Sequence, residues 1–197
     1  MTSTPLRYFD SQADGYAGSS GRGVWAWQRR REAAVVELLA GPAADARVLD
    51  LGCGAGFYAR RYHQAGARVA AVDASPGMIA ALNDSGIEQH LGDAAEIRLG
   101  AAFDLIVSAG LLEFVPDPGR VLANCRAHLA SGGRVVVLFP PDNWAGRLYR
   151  RFHRGHGFSI HLFGETHFKA MAQSAGLLMV ASRLVSPYSM IVRLEAS

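Results

Sequence analysis

The sequence predicts a doubly wound α/β sandwich, a mostly parallel sheet covered by helices on both faces with a C-terminal antiparallel hairpin strand. Three observations carry this. Short, continuously apolar runs alternate with helical stretches, as in parallel sheets buried on both sides. One run leads directly into three glycines at alternate positions, VLDLGCGAGFY at 48–58, before a helical stretch. The last two apolar runs are separated only by Ser186-Pro187-Tyr188, too short for a crossover, so one of them runs antiparallel.

The elements follow in order. The first 23 residues are rich in Gly, Ser and Asp and read as irregular. A helix is expected from about Trp25 to Leu39, stopped by Gly41-Pro42. RVLDLG (47–52) reads as a buried strand, Ala55 to Gln64 as a helix and RVAAVD (68–73) as the second strand. Pro76 opens a short helix to Leu82, where its missing N–H costs nothing. IEQHLGD (87–93) is a weaker strand and FDLIVSAG (103–110) a stronger one. Gly119 to Leu129 reads as a helix closed by Ser131-Gly132-Gly133, followed by the β-branched strand RVVVLFP (134–140). A helix at about Gly164 to Ala175 precedes the hairpin LLMVASRLV (177–185) and SMIVRLEA (189–196).

With 197 residues, half of them apolar and 19% charged, the chain is expected to form a single soluble domain over 1–197. No apolar run approaches the roughly 18 residues of a membrane span, and MTSTPLRYFD lacks a signal peptide's hydrophobic stretch. Cys53 and Cys125 lie far apart without metal-like spacing. Together these point to a reducing cytoplasm, no disulfide and no metal; monomer and homodimer both stay open. The net charge of +3 is too small to argue for nucleic acid by itself. Its basic residues, arginine apart from Lys169, cluster at WQRRRE (27–32) and GRLYRRFHRGHG (146–157).

A strand, a glycine turn and a helix place the helix N-terminus against a ligand, and glycine permits positive φ and close backbone approach. The dinucleotide fingerprint G-x-G-x-x-G would put its last glycine at Phe57; here the glycines are Gly52, Gly54 and Gly56. No lysine follows, so this is not a P-loop. Asp73 closes the second strand 21 positions after Gly52. An acid there accepts from a ribose hydroxyl pair and repels a 2′-phosphate. The ligand therefore carries an unphosphorylated ribose, and nothing in the loop demands a diphosphate.

VLDLGCGAGFYA with VAAVDASPGMI downstream, GDAAEI (92–97) and FDLIVSAGLLEFVPDP (103–118) resemble, in the same order, the class I S-adenosylmethionine-dependent methyltransferases, whose fold is Rossmann-like. The resemblance covers roughly residues 46–140, the cofactor-binding core. It implies S-adenosylmethionine as methyl donor and S-adenosylhomocysteine as product. It implies that Asp50, Gly52, Cys53, Gly54 and Gly56 line the methionine end, and that Asp73 holds the ribose. Ala74 and Met78 would lie beside the adenine, Asp93 and Ala94 at its amino group, and Ser108 and Ala109 under the methionine and ribose. Cys53 reads as a small side chain in a tight loop rather than a nucleophile.

Methyl transfer from a sulfonium needs alignment and exclusion of water, and a base only where the nucleophile carries a proton. The Asp/Asn-Pro-Pro-aromatic signature of base-methylating enzymes is absent after the fourth strand, which reads SAGLLEF. A small-molecule hydroxyl, carboxylate, amine or carbon remains, hydrophobic or anionic. Glu113 is a candidate base or a solvated acid; His161 is the candidate among His153, His156, His161 and His167. Residues 1–40 resemble an N-terminal lid, in which Tyr8, Tyr16 and one of Arg29, Arg30 and Arg31, with Arg30 the choice, would close over the cofactor. Alternatively, this helix packs on the sheet with a solvated basic face.

Residues 141–163 read as a substrate-lid insertion and 164–197 as a closing helix and hairpin. At about 100° per residue, Trp144, Leu148, Phe152 and Tyr149 span about 0–140° of a helical wheel, and Arg150, Arg154, Arg147 and Arg151 about 240–340°. The apolar side is expected to cap the acceptor pocket, and the basic side to meet an anionic substrate or a membrane surface, or simply to be solvated. An RNA or protein methyltransferase, a non-catalytic S-adenosylmethionine-binding protein and, more distantly, an NAD-dependent oxidoreductase are the alternatives.

Overall fold

The computed structural model describes residues 5–11, 23–84 and 86–197. A short helix, α1, covers 5–11. It is followed by α2 (Gly23–Ala40), β1 (Arg47–Leu51), α3 (Phe57–Gln64), β2 (Arg68–Asp73), α4 (Pro76–Leu82), β3 (Glu88–Leu91) and β4 (Phe103–Ala109). The rest comprises α5 (Pro118–His128), β5 (Leu129–Phe139), α6 (Trp144–Gly155), α7 (Glu165–Ser174), β6 (Leu177–Val185) and β7 (Ser189–Ala196). The strands form one seven-stranded sheet in the order β3-β2-β1-β4-β5-β7-β6. β7 enters between β5 and β6 and runs antiparallel to both, while the other pairings are parallel. The reversed strand near one edge is thus the second arm of the hairpin.

Alternate residues of each central strand enter opposite layers, which is why the strands read as unbroken apolar runs. Leu49, Leu51, Val72, Ile106 and Val137 pack with Val121 and Leu122 of α5 and Phe168 of α7. Val48, Val69, Ala71, Leu105 and Val136 pack with Val36 of α2 and Ala59 and Tyr62 of α3. The C-terminal end of α2 is closed by arginines from the sheet. Arg134 donates to the carbonyls of Ala40 and Pro42, and Arg193 to that of Leu39, supplying donors that a helix end lacks.

Two boundaries differ from the sequence reading. α3 starts at Phe57 rather than Ala55, because Gly56 stands at φ +83 in the left-handed region. Ser131-Gly132-Gly133 does not stop α5; it is the irregular opening of β5. Leu129 pairs with Phe103 and Arg134 with Leu105, so the surplus residues bulge. A Cβ on Gly133 would lie 2.9 Å from the Phe103 carbonyl oxygen. The helix expected over 144–154 forms as α6, but it turns Ala145, Gly146 and His153 inward and leaves Trp144, Leu148 and Phe152 exposed.

The sheet order reverses between β1 and β4, the position where open α/β sheets bind ligands at their carboxyl ends. The chain turns there through Gly56, where an added Cβ would meet Leu82 Cδ1 at 2.1 Å. Gly56→Ala therefore combines left-handed backbone strain with overpacking and is expected to cost about 2–4 kcal/mol. A fall in Tm on the order of 10 °C in thermal unfolding checks this.

Candidate active site

A cleft of about 980 Å³ opens over the carboxyl ends of β1, β2 and β4. Its floor is the turn after β1. Gly52, Gly54 and Gly56 take φ values of +78, +51 and +83, which only glycine adopts without strain. The turn hangs on β2: the N–H groups of Gly52 and Cys53 donate to the Val72 carbonyl at 2.8 and 2.9 Å. Asp73 holds both flanks, its Oδ2 accepting from Gly54 N–H at 2.8 Å and its Oδ1 from Ser75 N–H at 2.9 Å. Asp50, buried in β1, accepts from the Ala59 N–H of α3 at 2.8 Å.

Asp50 and Asp73 both border the cleft. Burial pushes the Asp50 carboxyl up to about 7, against the Ala59 hydrogen bond that lowers it and with the Asp73 charge adding to the rise. Burial also raises Asp73, opposed by the N–H groups of Ser75, Gly54 and Ala74. Arg60 borders the same cleft but spends its guanidinium on the carbonyls of Leu82 and Ala55. The floor is therefore acidic and suits a ligand that brings positive charge and hydroxyl donors; a diphosphate would meet two carboxylates. A Cβ at Gly52 would lie 2.9 Å from Leu111, so bare backbone is required there too. The Cys53 thiol is pushed strongly upward by burial, then by Asp50 and Asp73, and stays protonated.

Ala74, Met78, Asp93 and Ala94 continue the wall. Asp93 Oδ1 accepts from Ala95 N–H at 2.8 Å. Ala109 lies in the wall, whereas Ser108 beside it is buried with its hydroxyl unpartnered and its side chain outside the cleft. That is the strand alternation at work. Over the top, α1 is seated on the start of α4: Asp10 accepts from Ser75 Oγ at 2.6 Å and from Gly77 N–H at 3.0 Å. This places Phe9 in the wall, edge-on to Phe114 at 4.8 Å.

The far end of the cleft is where an acceptor would enter. Glu113 stands on the turn after β4, 3% exposed, with Oε2 unpartnered. Burial pushes its carboxyl up to about 8, its own backbone N–H lowers it, and the Glu32 charge adds to the rise. Glu32 accepts from Gln28 Nε2 at 3.0 Å and from Ser189 Oγ. All four residues border the cleft, with Leu148, Tyr149, Phe152 and Tyr188 forming an apolar mouth.

Several expected site residues stand elsewhere. Tyr8 turns away from the cleft into an aromatic cluster with His153, His156 and Phe158, so its neighbour Phe9 takes the place expected of it. Arg30 is exposed and outside the wall, and Arg29, one position earlier on α2, faces the cleft and lies over the Phe57 ring at 5.1 Å. Tyr16 lies outside the described residues. His161 is exposed and outside the cleft: its backbone N–H donates to the Glu113 carbonyl at 2.9 Å, and its ring stacks on Phe163. Gly56 shapes the turn without bordering the cleft. Gln28, Glu32 and Ser189 were not anticipated. The i, i+4 spacing of Gln28 and Glu32 was a usable signal that both share one helix face; Ser189, a hairpin residue, gave none.

An open, mostly parallel sheet with an acidic, glycine-floored cleft at its switch point is the layout in which α/β proteins bind nucleoside ligands. Residues 49–137 match the family model described as a methyltransferase domain. The match spans the segment over which the sequence resembles the class I S-adenosylmethionine-dependent methyltransferases. It is 36% identical over 104 residues to the ubiquinone biosynthesis O-methyltransferase of Xylella fastidiosa, covering 49% of this chain and 42% of that one. It is 37% identical over 98 residues to the trans-aconitate 2-methyltransferase of Mycobacterium tuberculosis, covering 48% and 37%. The chain thus spans less than half the length of these curated relatives. In fold it is similar to the magnesium protoporphyrin IX methyltransferase of Synechocystis PCC 6803 with bound SAH, at TM-score 0.77, 16% identity and 98% coverage of both chains.

The exchange of Arg30 for Arg29 is testable. Arg29→Ala is expected to weaken S-adenosylhomocysteine binding about tenfold, the value of one charge-assisted hydrogen bond. Arg30→Ala is expected to leave it unchanged, both read by titration calorimetry.

Proposed function

We propose that the chain transfers a methyl group from S-adenosylmethionine to an oxygen of a small, largely apolar molecule, working as a single cytoplasmic domain with residues 141–163 over the acceptor. The observation that carries the reading is the pair of carboxylates, Asp50 and Asp73, on a positive-φ glycine turn. When bound, S-adenosylmethionine supplies a methyl group on positively charged sulfur. Asp50 would hold its ammonium end, Asp73 its ribose hydroxyls, Met78 and Phe9 its adenine, and Asp93 the adenine amino group. A cation beside Asp50 favours the ionised carboxylate and reverses the rise caused by burial.

The acceptor end joins an apolar mouth to a few polar groups, the layout of a small-molecule pocket. Two relatives bear names that support a small-molecule acceptor, a methyltransferase for trans-aconitate and an O-methyltransferase of ubiquinone biosynthesis, the second of which supports an oxygen. Glu113 is the proton acceptor in this reading. Its ionised form takes the acceptor's hydroxyl proton, and a carboxyl titrating at about 8 is better matched to a phenol than an ordinary one. The burial of Glu113, 3% exposed, keeps bulk water from its carboxyl. Buried free thiols at Cys53 and Cys125 suit a reducing compartment, and no helix among the described residues is long and apolar enough to cross a membrane.

Thermal unfolding with S-adenosylhomocysteine and, separately, with NAD tests the cofactor. A ligand at 100 times its Kd stabilises by about 2.7 kcal/mol, a shift of several degrees. The shift is expected with S-adenosylhomocysteine alone and is expected to vanish in Asp73→Ala; a shift with NAD instead would overturn the reading.

The pH dependence tests Glu113. Activity on a phenolic acceptor is expected to rise about tenfold per pH unit and level off above about 8, as Glu113 ionises. Glu113→Gln is expected to lose about 10²–10⁴ in kcat together with that limb. Stability moves the other way. The folded protein holds the Glu113 proton up to about 8 and the unfolded chain only to about 4.5, so Glu113 lowers stability as pH rises through that window. Glu113→Gln is expected to be more resistant to denaturant than the parent at pH 8 and equal to it at pH 4, measured by urea titration.

A further inference from the structure

We propose that α6 is a docking surface for an anionic lipid bilayer, and that the cleft opens beside the docked helix. The helix is fixed in rotation by its inner side. Ala145, Gly146 and His153 are its buried residues, and a Cβ on Gly146 would lie 2.0 Å from the Pro141 carbonyl oxygen. The long apolar side chains therefore cannot turn inward. Trp144, Leu148 and Phe152 stand at i, i+4 and i+8 in one stripe and are 67%, 60% and 55% exposed. A contiguous apolar stripe of this size at a surface marks an interaction site.

The chemistry of the partner follows from what borders the stripe. On one side run Arg147, Arg150, Arg151 and Arg154, and the helix contains no acid. Arg147 pairs with Asp142 at 3.0 Å; Arg150, Arg151 and Arg154 form no ion pair among the described residues. On the other side the stripe runs into the cleft mouth, where Leu148, Tyr149 and Phe152 line the wall. The β6–β7 turn is tied to the start of α6 by Asn143, which donates to the Pro187 carbonyl at 2.8 Å, and it brings exposed Tyr188 to the same mouth.

A row of arginines beside a Trp-Leu-Phe stripe is the pattern of a helix lying in the plane of a membrane interface, with cations at the headgroups and apolar chains at the acyl boundary. A bare phosphate chain such as RNA would satisfy the arginines and leave Leu148 and the apolar mouth exposed to water. A bilayer covers both. It also gives a sparingly soluble molecule a path along the stripe into the cleft without crossing water. Docking of α6 on a bilayer requires no methyl transfer.

The test uses the full chain, vesicles of phosphatidylcholine alone, and vesicles in which about a third of the lipid is phosphatidylglycerol. Co-sedimentation is expected on the anionic vesicles only and is expected to fall with added salt. Arg150→Gln, Arg151→Gln and Arg154→Gln combined are expected to lower the partition coefficient about 100-fold, since each basic residue near the surface contributes about fivefold. Tryptophan emission is expected to shift to the blue on the anionic vesicles, and the shift is expected to disappear in Trp144→Phe. Trp144, Arg151 and Arg154 are exposed and Arg150 is half-buried without an ion pair among the described residues, so each variant is expected to keep the parent's Tm, which confirms that it is folded. Equal binding to both vesicles, an unchanged triple variant, or an emission shift that survives Trp144→Phe would overturn the proposal. So would tighter binding to single-stranded RNA than to anionic vesicles at the same salt, which would make α6 a nucleic-acid surface.

Discussion

The hydrogen bond from the Ala59 N–H to the buried Asp50 carboxylate ties the first strand to the first helix of the core, and the rest of the site depends on it. It requires the chain to reverse between residues 51 and 57 in so few steps that Gly52, Gly54 and Gly56 all adopt positive φ. Asp73 then clamps the reversal from the neighbouring strand through Gly54 N–H and Ser75 N–H. Two carboxylates thus serve as structural acceptors while bordering the cleft. Their burial raises the cost of ionisation, and a cationic, hydroxyl-bearing ligand relieves it.

Around this fixed floor the cleft is completed by pieces remote in sequence. α1 is fastened to the start of α4 by Asp10, which brings Phe9 over the floor. The N-terminal half of α2 brings Gln28, Arg29 and Glu32, and the closing hairpin brings Tyr188 and Ser189. The Ser189 hydroxyl donates to Glu32, so helix and hairpin share one oxygen at the acceptor end. β7 can reach that place only because the hairpin inserts its second arm beside β5.

His153 fastens α1 and α6 to the turn after β4. It is buried with both ring nitrogens unpartnered, ringed by Tyr8, Phe114, Tyr149, Phe152 and Phe158. Burial, and then the nearby His156, push it down to about 4, so at neutral pH it packs as an uncharged aromatic ring. It joins α1, the turn after β4 and α6 into one apolar cluster that His156 also borders.

The local signals in the sequence determined the sheet, its hairpin and the glycine turn after β1. A run such as RVAAVD, closed by an acid 21 positions after Gly52, carries its own strand length, its own end and the acid that clamps the neighbouring turn. The residues that failed to land where expected are those whose direction is set by packing between elements. One step around α2 separates Arg29 from Arg30, and one step around α1 separates Phe9 from Tyr8. No pattern within a helix says which of two neighbours faces a cleft that other elements build. His161 is turned out because its backbone is used to hold Glu113. The apolar stripe of α6 was legible as a stripe, but only the contact of Gly146 with Pro141 decides that it faces outward. Periodicity and turn chemistry are written in neighbouring residues, whereas the face that a helix presents is decided by the tightest contact it makes with the rest of the chain.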